Sequence, residues 1–112
     1  MTELIAAIGD GRRETVLALV DPGVVWRPVS RPGQTEYRGH AGILRFMSDL
    51  RVAYGRFRIE VEHIMTTSDT EVVSRAHPVR ETDEGDQPGP TITSVYTVRA
   101  GLVVGLESEL SD

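Results

Sequence analysis

The chain has 112 residues, 39% of them apolar, with a formal net charge of −5 at pH 7, which suits one domain with a single core and excludes two. Its basic residues form no cluster that could neutralise a phosphate backbone, so nucleic acid is not expected as a partner. All 12 basic residues are arginine, and Lys, Asn and Cys are absent, which removes Schiff-base lysines, thiol nucleophiles, disulfides and thiolate metal sites.

Without cysteine, redox logic cannot assign a compartment. The first residues carry no basic stretch followed by an apolar run, and no apolar segment approaches ~20 residues. A soluble cytoplasmic protein without a membrane partner is the expectation.

Thr2 is placed to cap a short helix carrying Leu4, Ile5 and Ile8, which Gly9-Asp10-Gly11 ends. A second helix from about Arg12 bears Val16, Leu17, Leu19 and Val20, and Asp21-Pro22-Gly23 then turns the chain. Residues 24–27 read as a brief strand, stopped by Pro28 and Pro32, with Trp26 and Arg27 on opposite faces. Residues 30–36 form a polar loop.

Next comes Tyr37-Arg38-Gly39-His40-Ala41-Gly42-Ile43-Leu44-Arg45-Phe46, which joins a polar turn to the one long amphipathic helix. Ile43, Phe46, Met47, Leu50 and Tyr54 fall on a single helical stripe. Gly39 and Gly42 bracket the helix start, where glycine relieves backbone strain or lets the first turn approach another element. His40 is expected to be exposed.

Residues 58–67 alternate like a half-buried strand, with Ile59, Val61, His63 and Met65 on one face and Arg58, Glu60 and Glu62 on the other. After a turn around Asp69, residues 72–80 form a strand whose facing is open. Burial of Val73 and Val79 would bring Arg75 and His77 inward; burial of Val72 and Ala76 would turn both outward. Residues 81–90 read as a solvated hairpin connection. Residues 91–98 place Ile92, Ser94, Tyr96 and Val98 on one face, and Ala100-Gly101 leads into a last strand bearing Val104, Leu106 and Leu110. Helices first and meandering strands after predict an α+β domain over residues 1–112, an antiparallel sheet curved around the helices with a ligand pocket between them.

His63 is the sharpest candidate for chemistry, an imidazole on an otherwise apolar face that could act as general base or acid. A core histidine satisfied by one hydrogen bond is the plainer alternative. Trp26, Arg27, Tyr37, His63, Arg75, His77, Ser94 and Tyr96 make up the expected pocket set. Arg27 is read as a ligand clamp or an exposed structural arginine, and Tyr37 and Tyr96 as hydrogen-bond donors or core residues. His40, His63 and His77 have no spacing that favours a metal site. The carboxylates sit mainly in turns, or outward at Glu60 and Glu62.

The short first helix, the bend, the Tyr37-Arg38-Gly39-x-x-Gly42-Ile43 start of the amphipathic helix, and the closing strands through Val98-Arg99-Ala100-Gly101-Leu102-Val103-Val104 resemble the SnoaL-like branch of the nuclear transport factor 2-like superfamily. The resemblance covers nearly the whole chain. It implies a cone-shaped fold with an internal pocket, and a longer first helix than this one; a shorter helix leaves the pocket mouth wider or marks a shortened start. It also implies a homodimer through the outer sheet face, where Thr93, Val95, Thr97 and Val103 are expected.

Ketosteroid isomerases share the superfamily, and their pattern puts Arg27 at the position of the carboxylate base, Leu4 at that of a tyrosine donor and Ser94 at that of a protonated aspartate. None of the three matches, and an arginine cannot abstract a proton near neutral pH. The carboxylate-dependent mechanisms of the polyketide cyclases and epoxide hydrolases lose support in the same way. The first functional reading is therefore a protein that binds a small, largely apolar molecule, without a cofactor. The second is a cofactor-independent isomerase, cyclase or dehydratase with His63 as proton shuttle, and Tyr96 or Arg27 stabilising an oxyanion. The third is an interaction module acting through the sheet surface.

Overall fold

In the computed structural model, which describes residues 1–28 and 36–111, α1 (Thr2–Asp10) and α2 (Arg13–Leu19) pack as a hairpin across Gly11. Gly11 adopts a left-handed φ of 72°. Its N–H and that of Arg12 return to the carbonyl oxygens of Ile8 and Ala7, closing the helix end. Thr2 is the first helical residue, not the cap, and no side chain caps this end.

The described residues form seven strands: β1 (Val20–Arg27), β2 (Tyr37–Arg38), β3 (Phe57–Ser68), β4 (Glu71–Thr82), β5 (Gly85–Pro88), β6 (Ile92–Arg99) and β7 (Leu102–Leu110). They form one curved, open sheet in the order β2-β1-β7-β6-β4-β3, with β5 on the free part of β4. Every pairing is antiparallel except that of β1 with β7, so the sheet is mixed and not wholly antiparallel.

The first strand is longer than expected because Asp21-Pro22-Gly23 does not end it. These residues form an irregularity inside β1, where the register on β7 shifts between Val20 and Val25. Pro22 has no N–H to give, which an interrupted ladder tolerates, and the Asp21 carboxylate accepts the Gly23 N–H at 2.7 Å. Part of the expected solvated connection pairs as β5, with Val79 opposite Pro88. Pro32 and the expected loop at residues 30–35 lie outside the described residues.

Helix α3 (Gly39–Tyr54) lies against β1 and β2, burying Ile43 and Met47 while Phe46 and Leu50 pack at the edge of the core. Gly42 makes the close approach possible: a Cβ there would stand 2.9 Å from the Tyr37 carbonyl carbon. His40 is half-buried, not exposed, since its Nε2–H donates to the Val20 carbonyl oxygen at 2.9 Å and ties the helix start to β1. The core joins Leu4, Ile5 and Ile8 of α1 to Val16, Val20, Val24, Tyr96, Val103 and Leu106. Val103 is buried here and not on the outer face as expected, because a register shift between Thr97 and Val98 turns it inward. No helix among the described residues is long and apolar enough to cross a membrane.

A bulge in β3 decides the facing of that strand. Val61 pairs with Ala76 and His63 with Arg75, so Glu62 is an extra residue and the alternation reverses after it. Ile59 and Ile64 pack on the core, while His63 and Met65 are exposed.

Candidate functional site

Helices and sheet leave a cavity of about 150 Å³, partly open to solvent. Phe46, Leu50 and Tyr54, one turn apart along α3, supply one wall, and Ile5 and Ile8 of α1 another. The sheet supplies the floor. Strand alternation places Trp26 of β1, Leu106 and Ser108 of β7, and Ile92, Ser94 and Tyr96 of β6 on its concave face, followed by Ser74 and Ala76 of β4.

The floor is polar only through neutral groups. The Ser74 hydroxyl donates to the Tyr96 phenolic oxygen at 3.4 Å, and the hydroxyls of Ser94 and Ser108 share a hydrogen bond of 2.7 Å. Burial pushes the Tyr96 phenol above the usual tyrosine range, while the hydroxyls of Ser74 and Ser94 pull it partly back. Tyr96 is thus a hydrogen-bond donor at neutral pH and no base. Among the described residues no carboxylate and no arginine lines the cavity.

Of the residues singled out in the sequence, Trp26, Ser94 and Tyr96 line this cavity. His77 contributes to the wall between Ala76 and Pro78, but its ring turns to the other side. There Nδ1 meets the Glu62 carboxylate at 2.9 Å, and Nε2 stands 3.4 Å from Glu60. The Thr91 hydroxyl donates to the same Glu62 oxygen at 2.8 Å, and together these bonds hold the Glu62 carboxyl below its usual range.

His63 does not belong to the concave face. The bulge at Glu62 turns it outward, where it is exposed opposite Arg75. Arg75 is exposed as well, because Val72 and Ala76 are the inward residues of β4, and that settles the open facing of this strand. Arg27 also points away, bonded to Glu36 at 2.7 Å and Glu107 at 3.0 Å, and these carboxylates raise its pKa further. Tyr37 packs edge-on against Phe46 at 5.3 Å, and its phenol donates to Asp49 at 2.6 Å, outside the cavity lining. Leu4 is a core residue 1% exposed.

Two serines, Ser74 and Ser108, join the lining beyond the expected set. Ser74 is 1% exposed and follows once Val72 and Ala76 are taken as inward; Ser108 shares its parity with Leu106 and is legible from it. His40, His63 and His77 sit on separate elements, and no group of three metal-ligating side chains comes together among the described residues.

The model of a family described as the SnoaL-like domain matches residues 1–106. A comparison with curated proteins gives no match. Solved structures with a similar fold include Bal32a from a soil-derived mobile gene cassette, 18% identical, covering 97% of this chain and 84% of that one with a TM-score of 0.81. TerC, co-crystallised with polyporic acid, is 19% identical, covering 98% and 87% with a TM-score of 0.80. RV0760c from Mycobacterium tuberculosis, in complex with estradiol-17beta-hemisuccinate, is 20% identical, covering 98% and 89% with a TM-score of 0.76.

Proposed function

We propose, from the premise that this chain belongs to the SnoaL-like domain family, that it binds a small, largely apolar molecule in the cavity between α1, α3 and the concave sheet face. The observation that carries this reading is the lining itself, aromatic and aliphatic walls over a floor of neutral hydroxyls. Such a surface favours apolar area and orients it by a few hydrogen bonds. The small molecules named for the TerC and RV0760c structures support it as parallels.

The His-centred proton shuttle finds no support in this arrangement. His63 is exposed, the His77 ring is held by two carboxylates on the far side of the sheet, and Tyr96 keeps its proton. Binding without acid–base chemistry is the reading that remains.

Thermal melts of the purified protein against a diverse panel of uncharged ring compounds test it. A binder present at 100 times its Kd stabilises by about 2.7 kcal/mol, several degrees in Tm. A panel that never moves the Tm overturns the reading.

For the homodimer, the relevant observation is a band of apolar side chains across the outer face. Met65, Val73 and Val95 are direct cross-strand neighbours on β3, β4 and β6, and Met65 is 51% exposed. Beside them lies a hollow of about 350 Å³, bordered by Val25, Thr97 and Gly105 and by the charged Arg27, Glu71 and Glu107. A second copy would cover this face. Sedimentation of the wild type as a dimer and of Val95→Arg as a monomer is the expected result; a wild-type monomer at high concentration removes the proposal.

A further inference from the structure

Strand alternation sets Glu71, Val73 and Arg75 of β4 on the outer face of the sheet, since Val72, Ser74 and Ala76 turn to the concave side. Glu71 and Arg75 are both exposed. Four residues of strand separate them by about 13 Å, too far to pair within one chain. Neither forms an ion pair among the described residues. Glu71 accepts the Thr67 hydroxyl at 3.1 Å, and Arg75 adds, after His77 and Thr91, to the lowering of Glu62. One anion and one cation thus flank Val73 at equal distance. Thr97 and Thr93 stand opposite them on β6, at equal distance from Val95.

For two copies of this face packed with their strands aligned, a two-fold axis runs either along the strands or across them. An axis along the strands exchanges the ends of the row Arg27, Glu107, Val95, Val73 and Met65. Over β6 it sets Met65 and Val73 on Arg27 and Glu107, and midway to β4 it sets Met65 on Glu107. Over β4 it sets Arg75 on Arg75 and Glu71 on Glu71. An axis across the strands, through the row, lays Met65, Val73 and Val95 each on its own copy, apolar on apolar. It also brings Arg75 opposite Glu71, twice. Arg27 and Glu107, at the far end of the row, already neutralise each other at 3.0 Å.

Resting on the homodimer reading above, we propose that two copies of this chain meet about an axis that crosses the strands through Met65, Val73 and Val95, with Arg75 of each copy paired to Glu71 of the other. Sheets packed face to face lie about 10 Å apart, a gap that an arginine and a glutamate span together. The apolar row supplies the contact, and the two ion pairs fix its orientation.

Sedimentation equilibrium at low salt tests this with Arg75→Glu, Glu71→Arg, the double variant, and an equal mixture of the two single variants. Each single variant places two like-charge pairs in the interface and is expected to raise the dimer Kd at least about 100-fold, with an unchanged circular dichroism spectrum. The double variant exchanges the charges and is expected to recover the wild-type dimer. The mixture is expected to form heterodimers, since one variant then carries both anions and the other both cations. Unchanged single variants, or failure of the double variant or the mixture to recover dimers, overturn this axis; dissociation of the wild-type dimer by Val95→Arg then leaves the homodimer reading standing. A wild-type monomer leaves the face to a different partner and removes both proposals, as does a wild-type dimer that Val95→Arg does not dissociate.

Discussion

The hydroxyl of Ser74 on β4 meets the phenol of Tyr96 on β6 at 3.4 Å, inside the concave face of the sheet. This pair gives the chain an alkaline signature that is easy to isolate. With no lysine or cysteine and three tyrosines, the side chains that titrate near pH 10 are tyrosines alone. The folded-state pKa of Tyr96 is raised by burial, so the stability it contributes is complete below the unfolded value of about 10 and is lost as pH rises through the folded value. Melting temperatures recorded between about pH 8 and 11 are expected to fall above about pH 10 in the wild type, and to fall less in Tyr96→Phe. Tyr37, raised first by its bond to Asp49, accounts for a remaining decline. Identical alkaline limbs for the two proteins would place Tyr96 in contact with water.

At the acidic end the sign reverses. Glu62 is held below its usual range, first by His77 and then by Thr91. Its contribution is present above the unfolded value of about 4.3 and is lost as pH falls through the lower folded value. Glu62→Gln should lower the Tm modestly at pH 7, where the charged form contributes, and shallow its decline in acid, so that the two proteins converge as pH falls. Glu36, lowered by Arg27 and Arg38, sets the remaining acid sensitivity. An unchanged acid limb in the variant would mean that the His77 pair does not form in solution.

His63→Ala tests the bulge. An exposed side chain away from the cavity is expected to change stability by no more than about 0.5 kcal/mol, and to leave the affinity for any ring ligand unaltered. Loss of binding in this variant, with an intact fold by circular dichroism, would put His63 back at the pocket and contradict the β3 register.

Gly42→Ala should be costly for a small change. The added methyl would press on the Tyr37 backbone at 2.9 Å, where no flexible side chain can give way. Overpacking of this kind costs about 1–3 kcal/mol, a fall in Tm of at least about 4 °C. A melt equal to wild type would show that α3 shifts freely on β2.

Periodicity carried most of the fold into the sequence. The stripe Ile43, Phe46, Met47, Leu50 and Tyr54 is the side of α3 that meets core and cavity, and Ile92, Ser94 and Tyr96 share the face that alternation gave them. Errors of facing arise where the ladder gains a residue. Glu62 and the shift at Thr97 and Val98 each reverse the alternation beyond them, which moves His63 outward and Val103 inward. Nothing local in the sequence marks an extra residue in a strand; only its partner strand does. The parallel pairing of β1 is hidden for a similar reason, because it joins Trp26 to Leu106 from opposite ends of the chain. Within the site, the neutral floor is half legible: Ser94 and Tyr96 can be named, whereas Ser74 depends on a parity that two valines leave undecided.

That parallel pairing also governs the order in which the chain can be completed. Trp26 sits opposite Leu106, and among the described residues β1 has only the two-residue β2 as its other neighbour in the sheet. During synthesis from the N-terminus, the segment bearing Trp26 therefore waits until the distant segment bearing Leu106 has left the ribosome before its backbone is paired on that side. Long-range closure of this type slows folding and leaves apolar surface open meanwhile. Removing β7 would accordingly take from β1 and β6 the strand that joins them, and with it Leu106 and Ser108 of the cavity floor.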